Sequence, residues 1–226
     1  MVESNGQART AGGEGDAARL PLLHEPAPAF HARTTQGERG LGDYRGRWLI
    51  FFAHPADFTP VCASEFIAFS KAYDRFQELG CDLLALSVDS LFAHIAWIAN
   101  IKERFGVEVP FPIVEDPSMA VARAYGMLHP GAHTSATVRA TFVIDPEGII
   151  RAITWYPMNV GRNVDELLRL VTALQTSDKS GVFMPEGWRL GDPVLVPPPL
   201  MAPKGKGAAP TVGQTDWYFS LEPAHG

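Results

Sequence analysis

The sequence predicts an α/β domain in which helices flank a mixed central sheet, followed by an extended C-terminal arm. Three observations lead to this prediction. An apolar run without polar alternation spans Trp48 to Ala53, as in a strand that is buried on both faces. Strand and helix patterns then alternate along the chain. From residue 177 onward the composition becomes rich in proline, with aromatic residues interspersed.

The chain divides into three regions on this basis. Residues 1–20 are polar and rich in glycine and alanine, and we expect them to form a disordered lead-in. They lack the apolar core of a secretory signal and the arginine-rich character of a transit peptide, so we expect a cytoplasmic protein. The domain proper occupies residues 21–176. The arm covers 177–226, and its aromatic residues predict that it packs on another surface.

The first half of the domain is organised around one strand and one helix. Turn residues dominate 21–47, where we expect a short hairpin at most. The strand at 48–53 leads to a helix at about 60–79, with Thr59 as N-cap and Pro60 in the first helical position. Aromatic residues recur along this helix at helical spacing, namely Phe66, Phe69, Tyr73 and Phe76.

The second half continues the alternation. A strand at 81–88 precedes a helix that Ser90 caps, and a short strand at about 111–114 precedes a helix opened by Asp116. The apolar face of the Ser90-capped helix is predicted to comprise Leu91, Ile95, Ile98 and Phe105. A hairpin of strands 141–144 and 149–154 follows, and Asn163 with Glu166 starts a last helix in the manner of a capping box. This order is that of a thioredoxin-like fold.

Cys62 is the third residue of the predicted helix that begins at Pro60. Free N–H groups and a partial positive charge at a helix start favour an anion, so a thiol there loses its proton more easily than a free cysteine. Since the thiolate is the nucleophile, Cys62 is a candidate reactive residue. A small buried core residue is the alternative, and position alone does not separate the two.

The residues around Cys62 resemble a known signature. The spacing of Pro55, Thr59 and Cys62 is similar to the active-site motif of the peroxiredoxins, the alkyl hydroperoxide reductase/thiol-specific antioxidant family, and His54 before the proline resembles the one-cysteine, peroxiredoxin 6-type subgroup. Further blocks of resemblance follow in order, namely Leu86 to Ser90 with His94 and Trp97, Arg139 to Pro146, and Tyr156 to Glu166. The resemblance implies the thioredoxin-like fold and an arm that packs on a partner subunit.

The resemblance also implies roles for individual residues. Thr59 would hydrogen-bond to the sulfur or the peroxide, Pro55 would shield the thiolate, and Arg139 would supply a permanent positive charge to both. The alternative for Arg139 is a surface cation at a strand end. Glu65 lies one turn after Cys62 and is predicted to hold Arg139 or Arg162 in place, or else to be a first-turn acid that favours the helix dipole.

Three further residues have two interpretations each. Arg162 is either a second guanidinium near the site or a loop residue before the Asn163 cap. His54 has a role near the thiol, where it adjusts the ionisation of the sulfur or takes up a proton, or it is simply a packed residue at a strand end. Cys81 begins a predicted core strand, so an inert buried thiol is favoured over a resolving cysteine that forms a disulfide with Cys62.

The predicted function is a thiol-dependent peroxidase. Hydrogen peroxide or an organic hydroperoxide would oxidise Cys62 to a sulfenic acid, which an external thiol would reduce again. A ring-forming chaperone or peroxide-sensing scaffold is the alternative from a different class. A thioredoxin-type disulfide oxidoreductase is disfavoured because the sequence has no C-x-x-C.

Composition limits the partners. The 226 residues carry a net charge of −6, which argues against nucleic acid and anionic membranes, and no apolar stretch approaches the roughly 18 residues of a membrane span. We expect a homodimer, with a higher ring as a further possibility, and neither cofactor nor metal. His129 and His133 are poor candidates for a metal pair because Pro130 and Gly131 between them prevent a regular helix.

Overall fold

The computed structural model describes residues 20–128, 135–200 and 214–223. The predicted lead-in, apart from Leu20, and the His129–His133 pair lie outside these ranges. Among the described residues, no helix combines the length and the apolar character that a membrane span requires.

Ten strands and five α-helices make up the described chain. The strands are β1 His31–Thr34, β2 Gly37–Gly40, β3 Trp48–Ala53, β4 Cys81–Ser87, β5 Ile113–Glu115, β6 Arg139–Ile144, β7 Ile150–Tyr156, β8 Val194–Leu195, β9 Gln214–Asp216 and β10 Phe219–Glu222. The helices are α1 Pro60–Lys71, α2 Tyr73–Glu78, α3 Leu91–Phe105, α4 Ala120–Ala124 and α5 Val164–Ser180.

Seven strands form the central sheet in the order β2-β1-β5-β4-β3-β6-β7. β3 pairs in parallel with β4, and β4 with β5, whereas β6 runs antiparallel between β3 and β7. The sheet is therefore mixed, as predicted. A smaller sheet in the C-terminal arm has the order β8-β10-β9.

β3 is the centre of the core, and all six of its residues are buried, as its apolar run predicts. Its side chains alternate between the two faces of the sheet. Ile50 and Phe52 belong to a cluster with residues of α1, α3 and α5, whereas Leu49 and Phe51 belong to a second cluster with residues of α4. Helices thus cover both faces, which confirms the predicted fold class.

The predicted helix at 60–79 is wrong in one respect, because it is interrupted. At Ala72 the backbone turns to φ −95° and ψ 0°, which separates α1 from α2. Phe66, Phe69 and Phe76 are nonetheless fully buried. The helix predicted to open at Asp116 begins at Ala120, and the Asp116 carboxylate accepts hydrogen bonds from the backbone N–H groups of Ala120 and Ala122 at the start of α4.

The predicted apolar face of α3 is correct for Ile98, which packs against the core, but wrong for Ile95 and Phe105. Its buried residues are His94, Trp97 and Ile101, whereas Ile95 and Phe105 are about half exposed. The Ser90 cap is confirmed, because its Oγ accepts a hydrogen bond from the backbone N–H of Ala93. The prediction went wrong because a hydropathy pattern assigns a histidine to the outer face of a helix, whereas His94 is buried.

The predicted boundary of the arm at 177 falls inside the last turn of α5, which runs to Ser180. Trp188 in the arm is 2% exposed and packs in a cluster with Ala173 of α5, so this aromatic residue covers its own chain. Trp217 and Tyr218, at the turn between β9 and β10, are 44% and 57% exposed. The described arm therefore presents aromatic side chains outward in its second part and, in its first part, at Phe183, which is 52% exposed.

Candidate active site

Cys62 lies at the start of α1, which follows the C-terminal end of the central strand β3. Thr59 is the N-cap, with extended backbone at φ −108° and ψ 146°, and Cys62 is the third helical residue, as predicted. The thiol is free and 0% exposed. The sulfur therefore lies in the field of the helix N-terminus and is shielded from bulk water.

Arg139 brings a guanidinium to the sulfur from the first residue of β6. Its Nη1 atom lies 3.3 Å from Cys62 Sγ and donates to Glu65 Oε2 at 2.7 Å. Its Nε and Nη2 atoms donate to the backbone carbonyl of Met158 at 3.0 and 2.6 Å. Arg139 is 1% exposed, so it is a buried site residue and not a surface cation.

Glu65 binds both arginines that the sequence offered as alternatives. Arg162 donates to Glu65 Oε1 through its backbone N–H at 2.7 Å and through Nε at 2.9 Å, and to Oε2 through Nη2 at 2.7 Å. Burial raises the pKa of Glu65, but the hydrogen bonds and charges of Arg162 and Arg139 outweigh it and hold that pKa below its ordinary value. Glu65 is therefore ionised and fixed.

The charges of this cluster favour a thiolate. Two buried guanidinium groups carry two positive charges, and Glu65 compensates only one of them. A negative sulfur at Cys62 would complete the balance. Arg162 is 7% exposed and also donates to the carbonyl of Ala140 at 3.1 Å, so it belongs to the site and is not merely a loop residue.

Pro55 and Thr59 precede Cys62 by seven and three residues. Thr59 occupies the predicted N-cap position, but its hydroxyl makes no capping hydrogen bond to the helix. The hydroxyl donates instead to the carbonyl of Ala56 at 2.9 Å. Its oxygen can still accept a hydrogen bond but not donate another, because its only proton is engaged. Pro55 is buried, which agrees with the shielding role that the motif implies.

His54 is fully buried and hydrogen-bonds away from the thiol. Its Nε2 atom lies 2.9 Å from Asp57 Oδ1, and its ring stacks on Trp97 with 5.3 Å between centroids. Burial lowers the pKa of His54, although the bond to Asp57 opposes this shift. Of the two sequence interpretations, this packing supports the strand-end residue.

Two residues of this region carried no predicted role. Asp57 accepts from His54 and lies 2.8 Å from the Nδ1 atom of His94, which is fully buried in α3. The signal in the sequence is an Asp three residues after a His, directly behind a buried strand. A lone pattern of this kind does not reveal that a histidine 37 residues away completes it.

Cys81 lies at the other end of the sheet. It pairs with Trp48 at the beginning of β3, whereas Cys62 follows the end of that strand. At about 3.3 Å per residue, the length of β3 separates the two positions by roughly 15 Å, well beyond disulfide reach. Burial raises the pKa of Cys81 to about 12, so its thiol is inert at neutral pH.

Two protein-family models match the chain. One describes the AhpC/TSA family and matches residues 23–153, and the other describes the C-terminal domain of 1-Cys peroxiredoxin and matches residues 173–201. Among curated relatives, a peroxiredoxin of Aquifex aeolicus is 53% identical over 192 residues, which are 80% of this chain and 86% of the relative. Peroxiredoxin 2 of Caldanaerobacter subterraneus subsp. tengcongensis is 48% identical over 203 residues, covering 88% and 92% of the two chains.

Solved structures show the same likeness. A yeast mitochondrial 1-Cys peroxiredoxin superposes with a TM-score of 0.79 at 36% identity, covering 91% of this chain and all of the other. Peroxiredoxin 6 of Arenicola marina superposes with a TM-score of 0.79 at 31% identity, covering 89% of this chain and 97% of the other.

Proposed function

The chain belongs to the AhpC/TSA family, the peroxiredoxins, and is a thiol-dependent peroxidase of the 1-Cys type, and we propose that Cys62 is the residue that its peroxide substrate oxidises. One observation carries this proposal, namely the 3.3 Å separation between Arg139 Nη1 and Cys62 Sγ at the start of α1. A helix N-terminus and a buried guanidinium together stabilise a sulfur anion.

The reaction transfers one oxygen atom. The Cys62 thiolate attacks the terminal oxygen of a hydroperoxide, an S–O bond forms, and the O–O bond breaks. The sulfur becomes a sulfenic acid, and the departing alkoxide or hydroxide takes up a proton and leaves as alcohol or water. Arg139 stabilises the negative charge that moves from sulfur to the leaving oxygen, since its donors already point into the site.

Thr59 orients the peroxide in this proposal. Because its hydroxyl proton is donated to Ala56, its oxygen accepts a hydrogen bond, and the O–H group of a hydroperoxide is the donor that fits. Pro55 keeps bulk water away from the thiolate. The substrates that match a fully buried sulfur are hydrogen peroxide and organic hydroperoxides whose O–OH end enters alone.

An external thiol completes the cycle. It condenses with the sulfenic acid to a mixed disulfide and water, and a second thiol releases Cys62 as a thiol. The distance and the inert character of Cys81 support an external reductant. Glutathione and thioredoxin systems serve the thiol-resolving mechanism of the yeast relative. A thiol of one of these two kinds is our candidate for the external reductant here.

We propose that the protein is a homodimer formed through β7. This strand lies at the edge of the seven-stranded sheet. Trp155 near its end is 46% exposed, and Met158 and Val160, just after it, are 49% and 46% exposed. An apolar groove of about 400 Å³ adjoins it, lined by residues that include Leu128, Val138 and Trp155. Two copies of one edge strand pair antiparallel about a two-fold axis, which closes the assembly. A higher ring stays a prediction.

The cytoplasmic location stays a prediction, and so does the absence of nucleic-acid and membrane partners, which the net charge of −6 supports. The chaperone or scaffold alternative is not favoured, because the family models and the relatives are peroxiredoxins and the charged site around Cys62 is complete.

Mass spectrometry after one equivalent of hydrogen peroxide tests the assignment of Cys62. We expect a dimedone adduct on Cys62 in the wild-type protein and in Cys81→Ser, the matched control, and no peroxide consumption by Cys62→Ser with a thiol donor. Retained turnover in Cys62→Ser would refute the assignment. A Cys62–Cys81 disulfide would refute the external-thiol cycle.

A further inference from the structure

The segment from His54 to Thr59 carries Pro55 and Thr59, yet it is neither helix nor strand. Phe58 in this segment has a φ of +54°, a left-handed conformation that a phenylalanine rarely adopts and that its surroundings must impose. The position of the peroxide-binding groups therefore depends on what holds this segment.

Asp57 is the residue that fastens it. Its backbone N–H donates to Asp89 Oδ2 at 2.8 Å, after the end of β4. Its carboxylate, 3% exposed, binds His54 through Oδ1 and the Nδ1 atom of His94 through Oδ2, at 2.9 and 2.8 Å. One side chain thus ties the segment to α3, which lies 37 residues further along the chain.

The hydrogen-bond partners determine where the protons lie. Hydrogen bonds from His54 and His94 hold the pKa of Asp57 below its ordinary value against the opposing effect of burial, so Asp57 is an anion. The second ring nitrogen of His94, Nε2, lies 3.3 Å from the carbonyl of Val114, which can only accept. The Nδ1 atom of His94 therefore donates to the Asp57 carboxylate, and its Nε2 atom faces the Val114 carbonyl.

His54 is a neutral member of the cluster. It donates from Nε2 to Asp57, and its Nδ1 atom is buried with no hydrogen-bond partner among the described residues. The close approach of His54, Asp57 and His94 is explained by their hydrogen bonds and does not require a metal ion. Their ligand atoms lie within 4.8 Å of one another, but each is already engaged in a hydrogen bond within the cluster.

We propose that Asp57 and His94 are positioning residues for peroxide reduction. The buried hydrogen bond between them holds the segment 54–59 against α3 and thereby sets the place of Pro55 and Thr59 relative to the Cys62 sulfur. This inference rests on the proposed function of Cys62. It assigns the role to the Asp57–His94 hydrogen bond itself, and not to the volume of the imidazole.

Two substitutions of the same residue separate these roles. In His94→Asn, the amide nitrogen takes the place of Nδ1 and can still donate to Asp57. In His94→Gln, the amide nitrogen takes the place of Nε2 and can reach only the Val114 carbonyl. Both variants remove the same ring, so a general loss of packing affects both.

The readout is the second-order rate constant for oxidation of Cys62 by hydrogen peroxide, measured by stopped-flow fluorescence. We expect His94→Gln and Asp57→Asn to lower it roughly 10- to 100-fold, the effect of losing a hydrogen bond to a charged group. We expect His94→Asn to retain most of the rate. The pH profile of Cys62 alkylation by iodoacetamide should stay the same in all three variants, because Arg139 and not His94 contacts the sulfur.

Equal oxidation rates in His94→Asn and His94→Gln would overturn the proposal, even where Asp57→Asn does not fold. A displaced alkylation profile in His94→Gln would overturn it in favour of an electrostatic effect on the thiol. If the wild-type protein does not oxidise at Cys62 at all, the proposed function fails instead, and the two failures are distinguishable.

Discussion

Arg139 Nη1 is shared between the Cys62 sulfur, at 3.3 Å, and the Glu65 carboxylate, at 2.7 Å. The same guanidinium is held from its other side by the Met158 carbonyl. A planar fork with donors on three sides satisfies all of these partners at once, which a lysine ammonium on a flexible stem does not. The relationship explains why an arginine, and not simply a cation, occupies this position.

Arg139→Met should lower the rate constant for oxidation of Cys62 by roughly 100- to 1,000-fold, the effect of removing one preorganised donor from a charged transition state. The rate constant of Arg139→Lys should lie between those of Arg139→Met and the wild type, because lysine restores the charge but not the planar guanidinium. Stopped-flow oxidation by hydrogen peroxide measures both. Arg75→Lys, in an exposed ion pair with Asp165, is the control and should not change the rate.

Thr59→Val should lower the oxidation rate roughly 10- to 100-fold, since the valine keeps the shape but removes the acceptor for the peroxide. Thr59→Ser keeps the hydroxyl and its bond to Ala56, so it should remain close to the wild type. The comparison is made as kcat/KM for hydrogen peroxide with an excess of thiol. If Thr59→Val and Thr59→Ser react equally fast, the hydroxyl has no part in peroxide binding.

The sequence predicted the local parts of this site well. The position of Cys62 in the first turn of α1 follows from Thr59 and Pro60 alone. The place of Arg139 beside it depends on β6 pairing with β3, a non-local contact that the sequence indicated only through the family resemblance. For Glu65 the sequence predicted Arg139 or Arg162 as the partner, whereas the structure shows both. A sequence does not show that one carboxylate has room for two guanidinium groups.

The larger error concerned α3, and its cause is physical. Hydropathy assigns a histidine to the outer face of a helix, so the predicted stripe ran through Ile95 and Phe105. In the structure, His94 is buried because Asp57 accepts a hydrogen bond from its Nδ1 atom, and Trp97, one turn later, is buried in the core as well. A polar residue that is buried by a distant partner is invisible to any periodicity along one helix.

Glu65→Gln should destabilise the fold by about 3–5 kcal/mol at pH 7, because it leaves two buried guanidinium groups with a neutral partner. The pKa of Glu65 is lowered in the folded state, so its contribution is complete above the unfolded value of about 4.3 and is lost as the pH falls through the folded value. The stability difference between wild type and variant should therefore shrink below about pH 4.

Urea unfolding at pH 7 and at successively lower pH measures this difference. Glu166→Gln is the matched control, since Glu166 pairs with Arg169 on the exposed face of α5 and should change the stability little. A difference between wild type and Glu65→Gln that is independent of pH would contradict the assignment of an ionised carboxylate at the centre of the site.

Trp155→Glu should convert the proposed dimer to a monomer. The substitution places a charge at the end of β7, where the indole is 46% exposed and would face its symmetry mate across the two-fold axis. Sedimentation velocity at micromolar concentration measures the mass. Phe92→Glu, at a 76% exposed position on α3, is the control and should leave the two-chain unit intact. A monomer produced by Phe92→Glu and not by Trp155→Glu would move the interface from the sheet edge to α3.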